Sequence, residues 1–148
     1  MKQFFLKNAL PAIIAIVMLT ISTKAEACTR VVYKGLNGTI VTARSMDFSM
    51  EIPANLWQFP RGIKREGQTG ANTVKWTSKY GSIVVSSWDI AVSDGMNEKG
   101  LNANMLWLNN SKYPPFEKDG NTKGLAVSLW AQYALDNFAT VKEAVEQF

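Results

Sequence analysis

The chain has 148 residues, one cysteine, no histidine and a formal net charge of +4. Without histidine it can build neither a Cys–His dyad nor a His-bearing metal site from its own residues. It also has no basic cluster interleaved with aromatics, so its composition points away from nucleic acid.

Met1 to Asn8 carries Lys2 and Lys7, Ala9 to Ser22 is a largely apolar run, and Ala25-Glu26-Ala27 is a small-x-small site. This is the layout of a secretory signal peptide, too short and wrongly flanked for a transmembrane anchor. The expectation is cleavage after Ala27, export to the periplasm or medium, and no membrane association afterwards. The signal removes Lys2, Lys7, Lys24 and Glu26, so the mature domain, 28–148, keeps 13 of 16 basic and 11 of 12 acidic groups.

Cleavage also makes Cys28 the first residue, with a thiol and a free α-amine on one residue. A lone cysteine in an exported chain is either a reactive thiol or half of an intermolecular bridge. A lipidated cysteine does not fit the preceding Ala25 and Glu26. As a nucleophile, Cys28 has the α-amine as its nearest base; that group titrates at about 7.7–8.0 and is partly neutral near pH 7.

Cys28 to Lys34 reads as a strand, Gly35-Leu36-Asn37-Gly38 as a hairpin turn and Thr39 to Ser45 as the return strand. A turn centred on Asn37-Gly38 sets Asp47 opposite Cys28, and one centred on Leu36-Asn37 sets Ser45 there. Either way Arg44 to Asp47 returns beside the mature N-terminus. A guanidinium there favours a thiolate, and a carboxylate can hold an α-ammonium. A plain solvated ion pair of Arg44 and Asp47 is the competing account.

Asn55 to Pro60 reads as an edge strand ending on proline, and Arg61 to Asn72 as a solvated loop. Val74 to Thr77 and Tyr80 to Trp88 read as strands, Asp94 to Leu101 as a tight turn, and Asn102 to Leu108 as a strand. Asn109 to Thr122 reads as a loop. From Gly124 to Asn137 apolar residues recur at helical spacing, and Thr140-x-x-Glu143 is a capping box opening a second helix. The chain stops inside that helix at Phe148 without a C-terminal cap, so a piece of a longer protein is expected. Strands followed by helices make the class α+β.

C-T-R at Cys28, A-R-S-M-D at Ala43–Asp47, W-T-S-K-Y-G-S at Trp76–Ser82 and D-G-M-N-E-K-G-L at Asp94–Leu101 resemble the choloylglycine hydrolase family. These linear-amide hydrolases include bile salt hydrolases and penicillin V acylases and share an αββα N-terminal-nucleophile fold, incomplete in this chain. The resemblance implies Cys28 as nucleophile, Arg44 beside the thiol, Asp47 near the α-amine, and Met46 and Trp107 in the oxyanion and substrate-binding set. Bile salt hydrolases carry an asparagine ten residues past the motif's Asn, where this chain has Trp107. An aromatic there is more similar to penicillin V acylases, whose backbone amide at this position helps form the oxyanion hole. A second oxyanion asparagine and a late arginine of the family lie beyond this chain.

The implied reaction is hydrolysis of a small-molecule amide through a Cys28 thioester, with no cofactor and no metal, in a homotetramer. Bile salt hydrolase and N-acyl homoserine lactone acylase are the alternatives within the family. The alternative of another class is a secreted, non-enzymatic binding module dimerised through Cys28.

Overall fold

Residues rich in β-branched side chains open a hairpin, β1 (Thr29–Lys34) with β2 (Ile40–Ser45), paired antiparallel. The computed structural model describes residues 28–147 except 109 and 118; the expected signal segment, 1–27, lies outside the described residues. At the turn Asn37 (φ 58°, ψ 28°) and Gly38 (φ 75°) are both left-handed, as a type I′ turn requires. The register is nevertheless neither of the two expected. The Gly35 N–H donates to the Thr39 carbonyl at 2.8 Å, and the Thr39 N–H donates to the Leu36 carbonyl at 3.3 Å. Gly35 and Leu36 therefore share one partner, a bulge that slips the ladder by one residue to Thr29↔Ser45. One step further along, Met46, not Ser45 or Asp47, faces Cys28.

After the hairpin come β3 (Ala54–Phe59), β4 (Lys64–Glu66), β5 (Lys75–Thr77), β6 (Ser82–Ser87), β7 (Ala91–Asn97) and β8 (Asn102–Asn104). Four of them form an antiparallel sheet in the order β3-β6-β7-β8, with β3 on the edge as its closing proline predicts. The other two, β4 and β5, pair separately. Helix α1 (Trp130–Asn137), entered through a 3₁₀ turn at Val127–Leu129, is followed by α2 (Val141–Gln147). On the capping box, Thr140 Oγ1 accepts from the Glu143 N–H at 3.2 Å, and Glu143 accepts from the Ala139 N–H at 2.8 Å.

One face of the four-stranded sheet carries α1: Val84 and Val92 close on Ala131 and Leu135 in a single core. The other face looks across about 680 Å³ of interlayer space at the hairpin. Alternate residues Thr42, Arg44, Met46 and Phe48 line that space, which is the face assignment a period of two demands.

Four further expectations change. The loop at 61–72 contains β4, because Arg65 is drawn inward by Asp136. That carboxylate is fully buried; it accepts from Trp76 Nε1 and Gln132 Nε2, each at 2.7 Å, and pairs with Arg65 Nε at 3.0 Å. Burial pushes the Asp136 carboxyl up, against the pull of those three partners. The first helix begins later than Gly124, because residues 124–126 bond to the 67–74 loop instead. There the Val74 N–H donates to the Gly124 carbonyl at 2.9 Å and the Ala126 N–H to the Gly67 carbonyl at 2.7 Å.

Asp94 to Asn97 belong to β7, and only Glu98 to Gly100 turn. These turn-forming residues serve tertiary contacts instead. Asn97 Nδ2 donates to the Leu135 and Phe138 carbonyls at 2.9 and 2.7 Å, closing the end of α1. Its Oδ1 accepts from the Lys99 and Leu101 N–H groups at 3.0 and 3.1 Å, shaping the turn. Gly95 lets α1 approach: a Cβ there would stand 2.6 Å from Leu135 Cδ1 and 2.8 Å from Val84 Cγ1. Gly95→Ala is therefore expected to cost about 1–3 kcal/mol in urea unfolding. A change within about 0.5 kcal/mol, the scatter of surface substitutions, would show that the helix shifts freely.

The last strand ends at Asn104 rather than Leu108. The Met105 N–H still donates to the Ser93 carbonyl at 2.8 Å, but its own carbonyl is taken by Arg44 Nη2. The chain leaves the sheet there, and Leu106 to Leu108 are exposed.

Candidate active site

Cys28 stands half-buried at the start of the hairpin, one residue before β1. It lines a cavity of about 410 Å³ together with Met46, Phe48, Trp88, Met105 and Trp107. That volume lies within the range of small-molecule pockets, and its wall is mostly apolar and aromatic. The larger interlayer space does not include Cys28. The cavity that holds the thiol is thus the one with chemistry in it.

The slipped register decides which neighbours the cysteine has. Met46, facing Cys28, lines both spaces, and its Sδ receives the Ser87 hydroxyl at 3.9 Å. Trp107 sits beyond the end of β8, 67% exposed, along the rim formed by the chain's departure from the sheet. Three of the five expected residues, Cys28, Met46 and Trp107, therefore meet at one cavity.

Arg44 is placed differently. Its side chain is 6% exposed and crosses from the hairpin to the sheet, where Nε meets Asp94 Oδ1 at 2.8 Å. Nη2 reaches the Ser93 carbonyl at 3.4 Å and the Met105 carbonyl more closely. Asn104 Nδ2 donates to the same Asp94 oxygen at 2.7 Å, leaving the carboxylate doubly engaged. Arg44 is thus a bolt between the two layers, lining the interlayer space and not the Cys28 cavity. The paired Arg44–Asp47 arrangement does not form.

Asp47 is exposed and lines neither space. The Ser45 hydroxyl donates to Asp47 Oδ2 at 3.0 Å and accepts from the Thr29 N–H at 3.3 Å. The aspartate is thereby linked, through one hydroxyl, to the backbone immediately after Cys28. This arrangement suits a group that steadies the N-terminal strand from its outer side.

Sequence reasoning did not single out Asp94, Phe48 or Trp88. Asp94 stood inside a motif taken for a turn, and its visible signal was the alternation at the end of β7, where Asp94 and Met96 take the hairpin's side and Gly95 and Asn97 the side of α1. Phe48 carried the same signal, continuing Thr42, Arg44 and Met46 by twos. Trp88 ends an apolar strand, and nothing local marks its side as a cavity wall.

The family model for linear amide C–N hydrolases, choloylglycine hydrolase family, matches residues 28–148. A penicillin V acylase of Pectobacterium atrosepticum is 46% identical over 141 residues, covering 90% of this chain and 38% of that protein. The solved penicillin V acylase of Agrobacterium tumefaciens superposes with a TM-score of 0.74 at 56% identity, covering 79% of this chain and 36% of that one. The chain thus spans well under half the length of these relatives. The likeness to a solved N-terminal-nucleophile hydrolase fixes the fold over the shared part, a helix layer on a sheet facing a second sheet's hairpin. With the family match covering the whole of the described domain, the chain belongs to the linear amide C–N hydrolases of the choloylglycine hydrolase family.

Proposed function

We propose that the protein is an exported cysteine amidase of the penicillin V acylase kind. It cleaves linear amides whose acyl part is aromatic or long and apolar. The observation that carries this reading is the apolar cavity of about 410 Å³ onto which Cys28 opens, walled by Phe48, Trp88 and Trp107. The likeness to two penicillin V acylases supports it. The signal-like layout of Met1 to Ala27 supports export to the periplasm or medium and a mature N-terminus at Cys28.

The chemistry is acyl transfer. The α-amine of Cys28 takes the thiol proton, and the thiolate adds to the amide carbonyl carbon. Backbone donors near the cavity rim stabilise the tetrahedral oxyanion, a contribution worth about 10²–10³ in rate per donor. The C–N bond then breaks, the departing amine takes its proton from the α-ammonium, and a Cys28 thioester remains. Water, deprotonated by the regenerated α-amine, adds to the thioester carbonyl carbon; the C–S bond then breaks, the acid leaves, and the Cys28 thiolate recovers its proton from the α-ammonium. No step draws on histidine.

Trp107 bears on the choice of acyl group. An indole offers one N–H and a wide apolar face, where an asparagine offers two donors and an acceptor. Sites built on hydrogen bonds reject analogues sharply, and apolar pockets discriminate mainly by size. The test is a panel of amides on the whole protein and on Trp107→Asn. The wild type is expected to prefer penicillin V to a glycine-conjugated bile salt. The variant should move the ratio of kcat/KM values toward the bile salt by about tenfold, the size of one lost aromatic contact. An unmoved ratio removes Trp107 from the specificity wall, and a wild type inert on every amide removes the function.

A further inference from the structure

Between β6 and β7 the chain reverses through Ser87 to Ile90, with the Ile90 N–H donating to the Ser87 carbonyl at 3.1 Å. Both central residues, Trp88 and Asp89, are left-handed, with φ of 52° and 54°. A type I′ turn asks for this conformation and normally meets it with Asn-Gly. A bulky side chain there is a true outlier. Strained backbone of this sort persists only where its surroundings over-determine it, and it gathers at ligand sites.

The surroundings here converge on Asp89. Its carboxylate accepts from Ser86 Oγ at 2.7 Å, Trp57 Nε1 at 2.9 Å and Asn55 Nδ2 at 2.9 and 3.0 Å. These donors, Ser86 foremost, hold its carboxyl below the usual carboxylate range. They come from three residues on two strands, Asn55 and Trp57 of the edge strand β3 and Ser86 near the end of β6. The Trp88 N–H is fixed as well, donating to the Pro53 carbonyl at 2.8 Å. Asp89 does not line the Cys28 cavity, whereas Trp88 does. The Trp88 ring meets Phe48 edge to face, with centroids 5.9 Å apart at 71°.

We propose that Asp89 is a positioning residue for the acyl pocket: anchored by Ser86, Trp57 and Asn55, it holds the left-handed turn that presents Trp88, braced on Phe48, as the wall against which an aromatic acyl group packs. The inference rests on the amidase reading for its substrate, but the turn, the anchors and the cavity wall stand without it. Asp89 acts through Trp88 and touches no reacting atom.

The experiment compares phenoxyacetyl and hexanoyl amides of one amine on the whole protein. Asp89→Gly removes the anchor while keeping a residue at ease with positive φ, so the turn can still close. It is expected to raise KM for the phenoxyacetyl amide about tenfold, with kcat within about twofold and the hexanoyl amide little affected. Trp88→Ala should raise KM equally, and the Trp88→Ala/Asp89→Gly double variant no further. Asp89→Asn, which keeps an acceptor and tolerates the same backbone, should restore most of the affinity. Additive effects, an unmoved KM, or an equal loss of kcat on both substrates would overturn the proposal.

A second readout separates this inference from the amidase reading. Phenoxyacetate should quench indole fluorescence in the wild type, less in Trp88→Phe, and at higher concentration in Asp89→Gly. A protein that hydrolyses no amide yet shows this pattern loses the proposed function and keeps the pocket wall. Identical quenching in all three proteins sinks the wall, whatever the activity.

Discussion

Adding a single alanine before Cys28 of the mature protein is expected to abolish amide hydrolysis while leaving the fold intact. In the extension the Cys28 nitrogen becomes a peptide amide, which has no lone pair basic enough to take the thiol proton. No histidine exists in this chain to replace it, and the Asp47 carboxylate already accepts from the Ser45 hydroxyl. Positioned general bases contribute about 10²–10⁴ in rate, and in the proposed mechanism the same group also protonates the leaving amine. Loss of at least that factor in kcat is the expected outcome. The thermal midpoint should hold, because Cys28 precedes the hairpin ladder that begins at Thr29↔Ser45.

The same experiment separates the two classes of function. A secreted binding module dimerised through Cys28 would keep its disulfide-linked dimer after the extension, and neither form would cleave amides. Wild-type turnover by the extended protein would assign the proton transfer to another group. Mass spectrometry of the mature protein supplies the companion check, since a first residue other than Cys28 removes the mechanism at its root.

Arg44→Ala is expected to be strongly destabilising. Its side chain and that of Asp94 are 6% and 22% exposed, so the ion pair is largely withdrawn from solvent. Removing one partner of such a pair costs about 3–5 kcal/mol, mostly because the other charge stays behind uncompensated. Here, among the described residues, Asp94 keeps Asn104 alone, and the Ser93 and Met105 carbonyls each lose a donor. Asp94→Ala should cost less, since the guanidinium retains both carbonyls. In a double-mutant cycle the two should couple by about 1–3 kcal/mol. Effects adding to within about 0.5 kcal/mol would mean that the two side chains act independently. Activity should fall along with stability. Arg44 holds the Met105 carbonyl from which Leu106 and Trp107 depart toward the cavity, so KM is expected to rise with Arg44→Ala.

Much of the fold was legible because it is local chemistry. Asn37-Gly38 specified a left-handed turn, β-branched runs specified the strands beside it, and Thr140 with Glu143 specified a helix start. The motif from Asp94 to Leu101 was legible as a motif and misread as a turn. Asp, Gly and Asn are turn formers by propensity, and nothing nearby in sequence states that Gly95 faces Leu135 or that Asn97 caps α1. The loop at 61–72 failed for the same reason, since the buried Asp136 that organises Arg65 lies about seventy residues away.

By itself the sequence determined the candidate nucleophile and showed that these 148 residues hold no histidine to partner it: one cysteine stands behind a signal-like segment. It also determined the family, through motifs whose residue types and spacing survive without any knowledge of contacts. The tertiary structure decided which residues surround that nucleophile. A bulge of one residue at Gly35-Leu36 moved Met46 opposite Cys28 and turned Arg44 toward the sheet, because side chains alternate faces with a period of two. The partner that Arg44 then found, Asp94, is 50 residues away in sequence. Turn propensity is set by the few residues that make the turn, so it can be read along the chain. Register, ion-pair partners and cavity walls are set by which faces the closed sheets bring together, so only the folded arrangement could assign them.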